Sequence, residues 1–213
     1  MNISEGANGK RRMAKTMSRI KCPHCGSTNT ARIQYGMPVI NEKLIADIDA
    51  GKICLGGCCI SDYDPTRHCN ECNNDFGYPP AIFSEEGKIT DYYNMCVNSL
   101  EFRIGGFFGG YNIVKIIMNK DGALACSHHF PTDYDTKKEV QISHEEWRKI
   151  IDRLFFKMYL CDWEHEYIDS EVCDGTQWSL ILGLYDGSEK VYSGSNAFPP
   201  YMKQLKNLFK KYM

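Results

Sequence analysis

The chain has no long apolar run. Its most hydrophobic stretches, such as IVKIIM at 113–118, fall far short of the ~20 residues a helix needs to span a bilayer, so no membrane association is expected. It also has little net charge: 25 Lys+Arg against 27 Asp+Glu leave a formal charge of -2, and such a balance gives no whole-molecule field to draw in nucleic acid. The opening MNISEGANGKRRMAKTMSRIK lacks a secretory hydrophobic core, so a cytoplasmic setting is expected. Absent too are G-x-S-x-G, H-E-x-x-H and the dinucleotide fingerprint. GGFFGG at 105–110 imitates a phosphate loop, but it lacks the lysine and the following helix, and the pattern after it is that of a strand.

What the chain does have is cysteine, eleven in all. In a cytoplasmic protein these are expected as thiols or metal ligands and not as disulfides. Cys22-Pro-His-Cys25 and Cys69-Asn-Glu-Cys72 are two C-x-x-C pairs, each followed closely by a glycine, Gly26 and Gly77. A C-x-x-C turn lets two thiolates converge on one ion, and Zn²⁺ takes four such ligands in a tetrahedron. Two turns therefore predict a closed structural zinc site with Cys22, Cys25, Cys69 and Cys72 as ligands. Cys58, Cys59, His24 and His68 stand near enough in sequence to replace a ligand; Cys54 is left unassigned, and the cysteine of LGGC reads as a small buried hydrophobe rather than a nucleophile.

Between the turns the sequence predicts a strand at ARIQYG, a helix through NEKLIADIDA capped by Asn41 and stopped by Gly51, and a second strand at KICLGGCCI. The segments KCPHCGS, QYGMP, AGKICLGGC and HCNECNNDFG together resemble a group of uncharacterised bacterial zinc-ribbon proteins. These carry C-P-x-C-G, Y-G-x-P, G-x-x-x-L-G-G-C and a closing C-x-x-C-x-x-x-F-G. The likeness covers residues 21 to 78 and implies the zinc fold with no activity attached. One departure is Asn73-Asn74-Asp75, where a glycine commonly follows the last cysteine.

The mixed Pro, Gly and charge of GYPPAIFSEEGKITD place a boundary there. The reading is a basic tail over 1–20, a zinc ribbon over 21–80, a linker over 81–97 and an α+β domain over 98–213. In that domain SLEFRI, YNIVKIIM and ALACSHHF predict an antiparallel meander turned at Asp121-Gly122. Ser143 and Glu146 frame a capping box for a helix over 144–161 that buries Trp147, Ile150, Ile151, Leu154, Phe155 and Met158. Trp178, Leu180, Leu182 and Leu184 share one face of a hairpin turned at Asp186-Gly187, and Pro199-Pro200 open a last helix. The expected fold is α+β, an elaborated ribbon followed by an antiparallel sheet with two packed helices. Asp174, Gly175, Trp178, Asp186, Gly187 and the run Gly194 to Pro199 also resemble a D-G-x-x-W-x-L, D-G, G-S-N-A-[FY]-P segment of uncharacterised bacterial proteins.

The function expected is that of a non-catalytic zinc-binding adaptor of bacterial or phage type, recognising a protein partner. Phe107 and Phe108, with Lys206 and Lys210 on the last helix, form a candidate binding surface. A nucleic-acid-binding ribbon is the alternative, since exposed phenylalanines stack on bases and the N-terminus is basic. A metal-dependent enzyme built on His128, His129 or His165 is the second alternative; adjacent residues on a strand face opposite ways, which keeps His128 and His129 from sharing one ion.

Overall fold

The computed structural model describes residues 20–79, 82–83, 89–90, 96–106, 108–130, 138–172 and 174–213, with the backbone alone at 82–83 and 89–90. The basic N-terminal segment, most of the 81–97 linker, Phe107 and Cys173 lie outside the described residues.

The first sheet is built from β1 (Thr30–Gln34), β2 (Ile53–Leu55), β3 (Arg67–Cys69) and β4 (Asp75–Phe76), in the order β2-β1-β3-β4. Helix α1 (Glu42–Asp49) carries the chain from β1 to β2, and those two strands run parallel. The Asn41 side chain accepts from the Leu44 amide at 2.9 Å, and Gly51 turns the chain out at φ 64. The strand–helix–strand insert is therefore as the sequence predicts, but the helix buries only Leu44, with Ile45 left exposed. A two-stranded ribbon follows, β5 (Ile82–Phe83) with β6 (Ile89–Thr90), which the sequence pattern did not disclose.

The second sheet contains β7 (Val97–Gly106), β8 (Gly110–Asn119), β9 (Gly122–Phe130), β10 (Lys138–Ile142), β11 (Glu166–Ile168), β12 (Gln177–Leu184) and β13 (Glu189–Ser195). Their order is β10-β9-β8-β7-β12-β13-β11, antiparallel except where β11 joins β13. Alternation puts Leu100 and Phe102, Val114 and Ile116, Ala123 and Ala125, and Leu180 and Leu182 on one face. Helices α2 (His144–Asp152) and α3 (Met202–Phe209) cover that face. Mixed helix and largely antiparallel sheet make the molecule α+β. The meander and the hairpin match expectation; β10 and β11 are additional edge strands.

The helix expected over 144–161 keeps its buried face but not its regularity. All six predicted positions are buried, yet the helix widens into a π turn at Arg153–Lys157 and ends where Tyr159 adopts a left-handed backbone, φ 55. A bulky residue at positive φ is an outlier that surrounding packing must hold. Here the Trp163 indole donates to the Met158 carbonyl at 2.7 Å, and a short 3₁₀ turn at Leu160–Asp162 follows. The capping box is half made. Ser143 Oγ accepts from the Glu146 amide, but the Glu146 carboxylate instead accepts from Tyr212 and Lys211 beyond α3.

The two sheets meet through aromatic side chains. Phe76 of β4 stands edge-on to Tyr159 with centroids 5.1 Å apart, and Tyr159 leans on Tyr201. The Tyr201 hydroxyl donates to the Lys21 carbonyl and accepts from the Lys21 amide, while the Gly77 amide donates to Asp162 Oδ2 at 3.0 Å.

Candidate metal centre

Each C-x-x-C pair folds as the same backbone device. In the first, the Gly26 amide donates back to the Cys22 carbonyl at 2.9 Å and the Cys22 amide donates to Ser27. In the second, the Asn73 amide donates back to the Cys69 carbonyl at 2.9 Å and the Cys69 amide donates to Asn74. The residue after the second cysteine takes positive φ in both, 77 at Gly26 and 59 at Asn73. Asparagine is among the few side-chain-bearing residues that tolerate that region, so Asn73 does what a glycine does in the other turn. The sequence departure at this position is thus conservative in geometry.

The turns bring four sulfurs together. Cys22, Cys25, Cys69 and Cys72 place their Sγ atoms within 4.8 Å of one another, with 3.7 Å between Cys22 and Cys72 and 3.6 Å between Cys25 and Cys69. A tetrahedral ion bonded to sulfur at ~2.3 Å would need edges of ~3.8 Å, so the quartet has the dimensions of a single four-coordinate metal site. Cys22 and Cys69 are buried, and Cys25 stands at the surface.

The electrostatics of the quartet are divided. Burial pushes the Cys22 thiol up to about 12, even though the His24 and Cys25 amides point at its sulfur. Burial, joined by Cys72 and Cys69, also raises Cys25 against the Ser27 amide and Cys22. At Cys72 burial again acts upward, but the Asn74 side chain at 3.4 Å, the Asn74 amide and the neighbouring thiols outweigh it and bring the group down to about 6. Four crowded thiols cannot all ionise unaided, so negative charge collects on the one with the best donors. A bound cation removes that conflict, because each thiolate then faces positive charge.

The other sequence candidates fall elsewhere. His24 is exposed, and His68 Nδ1 lies 2.6 Å from Asp75 Oδ1. Cys58 and Cys59 are exposed and Cys54 is half-buried; none joins the quartet. His128 and His129 occupy successive positions of β9, and His129 Nδ1 is paired with Asn112 Oδ1 at 3.1 Å. His165 Nδ1 faces the Val191 carbonyl, and its ring stacks on Tyr192. Among the described residues no second set of three His, Cys, Asp or Glu ligand atoms converges as the four sulfurs do. Phe108 is exposed; Lys206 lies over the Phe198 ring and Lys210 projects from the end of α3. The structure does not bring Phe108 and these lysines into one described cavity.

Sequence reasoning missed Asn74, which steers charge onto Cys72, and the junction residues Tyr159, Asp162 and Tyr201. For Asn74 a signal existed, its position two after the last cysteine, where amide donors to sulfur are expected. For the junction residues none did, since their contacts cross as many as 180 positions.

No protein-family model, curated protein or solved structure matches the chain.

Proposed function

We propose that the first sheet is a zinc ribbon and that the protein is a non-catalytic recognition module, the ribbon presenting one surface and the α+β domain carrying it. The observation behind this reading is the sulfur quartet with metal-site dimensions. Four thiolates suit zinc among the common divalent ions, and they fill its coordination shell, which gives the ion a structural role and leaves no position for water or substrate. Bound zinc would cross-link the two C-x-x-C turns. Cys22 and Cys69 would hold it from the interior and Cys25 and Cys72 from the surface side, with Asn74 supporting the last. The likeness of residues 21–78 to zinc-ribbon proteins points the same way.

The test is a native mass spectrum of protein made in a reducing cytosol, set beside its acid-denatured mass. One zinc in the native state and a bare chain after denaturation are expected, with the metal lost in Cys69→Ser. A metal-free native mass overturns the ribbon. Two metal ions overturn the non-catalytic reading and bring back the metal-dependent alternative on His128, His129 or His165.

A further inference from the structure

Where the ribbon sheet meets the larger domain there is a cleft of about 230 Å³, and its walls are of two kinds. One wall is a cross-strand row of the small sheet. Ile53 pairs with Arg32, Arg32 with Arg67, and Arg67 with Phe76, so these four residues lie side by side across four strands. Two arginines directly opposite on neighbouring strands repel each other. Among the described residues neither forms an ion pair with a carboxylate. Arg67 is instead drawn against the Tyr159 hydroxyl. The three described acids that act on Tyr78 each have a partner of their own, Asp162 the Gly77 amide, Asp75 His68 and Asp64 the Ser61 amide.

The opposite wall is aromatic: Phe155 and Phe156 from the π turn, Tyr159 after it, and Tyr78 on the segment leaving β4. Phe156 and Tyr78 keep 40% and 45% of their surface open. The floor is tight, for a Cβ on Gly77 would come within 2.6 Å of Thr66 Oγ1 and 3.1 Å of the Tyr159 ring. A guanidinium pair that ion-pairs with no described carboxylate, set with exposed rings around a narrow gap, combines a fork for phosphate oxygens with a platform for a flat ring.

We propose that this cleft binds a nucleotide, its phosphate on Arg32 and Arg67 and its base against Phe156 and Tyr78. The source is either a free mononucleotide or one residue of a single strand, since both offer the same phosphate and base. The inference deepens the recognition reading above by giving that module a ligand, and it needs the ribbon folded.

The experiment uses the full zinc-loaded chain, titrated calorimetrically with inorganic phosphate, with 5′-UMP and 5′-AMP, and with short oligo(dT) and oligo(U). Nucleotide or oligonucleotide is expected to bind far more tightly than phosphate alone. Arg32→Gln and Arg67→Gln should each weaken it about tenfold or more, and Phe156→Ala should weaken it while leaving phosphate unchanged. With two phosphate-binding arginines, the log–log salt slope for a single strand should be about −1.4, falling by about half in Arg32→Gln. A mononucleotide that matches the oligonucleotide identifies the free nucleotide as ligand; a large oligonucleotide advantage identifies the single strand. Absence of binding, or binding indifferent to both arginines, overturns the proposal. Zinc is counted in every sample: a variant that keeps its one ion but binds nothing bears on the cleft alone and leaves the ribbon reading intact. Arg32 is exposed, so Arg32→Gln decides the matter by itself if Arg67→Gln sheds its metal.

Discussion

Among the described residues, α2 and α3 close over a cluster of 27 buried residues around the seven-stranded sheet, whereas the buried cluster at the four-stranded sheet is Cys22, Cys69 and Phe76. Burying one large aliphatic or aromatic side chain is worth about 1.5–3 kcal/mol, and the larger cluster sums many such gains against its ordering entropy. The smaller cannot, since two of its three members are cysteines and its helix buries one residue. Small modules in that position need a staple. On the proposed metal-bound reading, one chain solves the folding problem twice, once by area and once by converging ligands. The two solutions are joined by one aromatic seam through Phe76, Tyr159 and Tyr201.

The comparison is broken most directly by denying the four cysteines a metal. Structural zinc contributes on the order of 10 kcal/mol of apparent binding free energy, so a strong chelator should strip amide protection from β1, β2, β3 and β4 and leave that of β7, β8 and β12 in place, as read by hydrogen exchange. Loss of protection in both sheets at once would mean that they fold as one unit. The converse variant is Leu180→Ala. Leu180 is fully buried and sits opposite Phe102, which stacks on Phe209 at 4.9 Å. A loss of about 2–5 kcal/mol is expected in chemical denaturation, with the metal count unchanged in the folded protein.

How much of this was legible beforehand follows the same division. Alternation and helical spacing picked out Leu100 and Phe102 on β7, six positions from Trp147 to Met158, and Trp178 to Leu184 on β12, because a one-faced sheet writes its burial into every second residue. The four sulfurs were legible because C-x-x-C is a local device, and so was the cap at Asn41. The edge strands were not: β11 is three residues of EYI, and its pairing with β13 is decided by a neighbour distant in sequence. The π turn was equally hidden, since the helical pattern runs on unbroken through Met158 while the backbone does not. Arg32 facing Arg67 is a fact of register across the Cys54- and Cys58-bearing insert, and no local pattern encodes it.

A finer test separates backbone from metal in the two C-x-x-C turns. Gly26→Ala places a Cβ at ordinary contact distance, 3.5 Å from Pro200 Cβ, so its cost is that of the left-handed backbone, about 1–2 kcal/mol. Asn73→Gly occupies the equivalent position of the other turn at φ 59 and should change stability by under ~0.5 kcal/mol. Competition with a chromophoric chelator measures both. Equal losses from the two changes would show that conformation at this position is not what holds the turns.

The smallest effect concerns the seam. Burial raises the Asp162 carboxyl from 3.8 to about 6, with the Gly77 amide and nearby His24 pulling only partly the other way. A carboxyl raised on folding binds its proton more tightly in the folded chain, so its contribution to stability is complete below the ordinary value and is lost as pH rises through about 6. At neutral pH the ionised group is therefore a liability at the junction. Asp162→Asn keeps an oxygen for the Gly77 amide and removes the charge. Because the side chain is partly open to solvent, the gain at pH 7 is about 1 kcal/mol or less, and it should vanish towards pH 4. Urea midpoints of both proteins across that range give the difference directly, and other titrating groups cancel in it. A difference that does not change with pH, or an Asn variant weaker at pH 7, would mean that the Asp162 charge is matched at the seam by a partner stronger than the Gly77 amide.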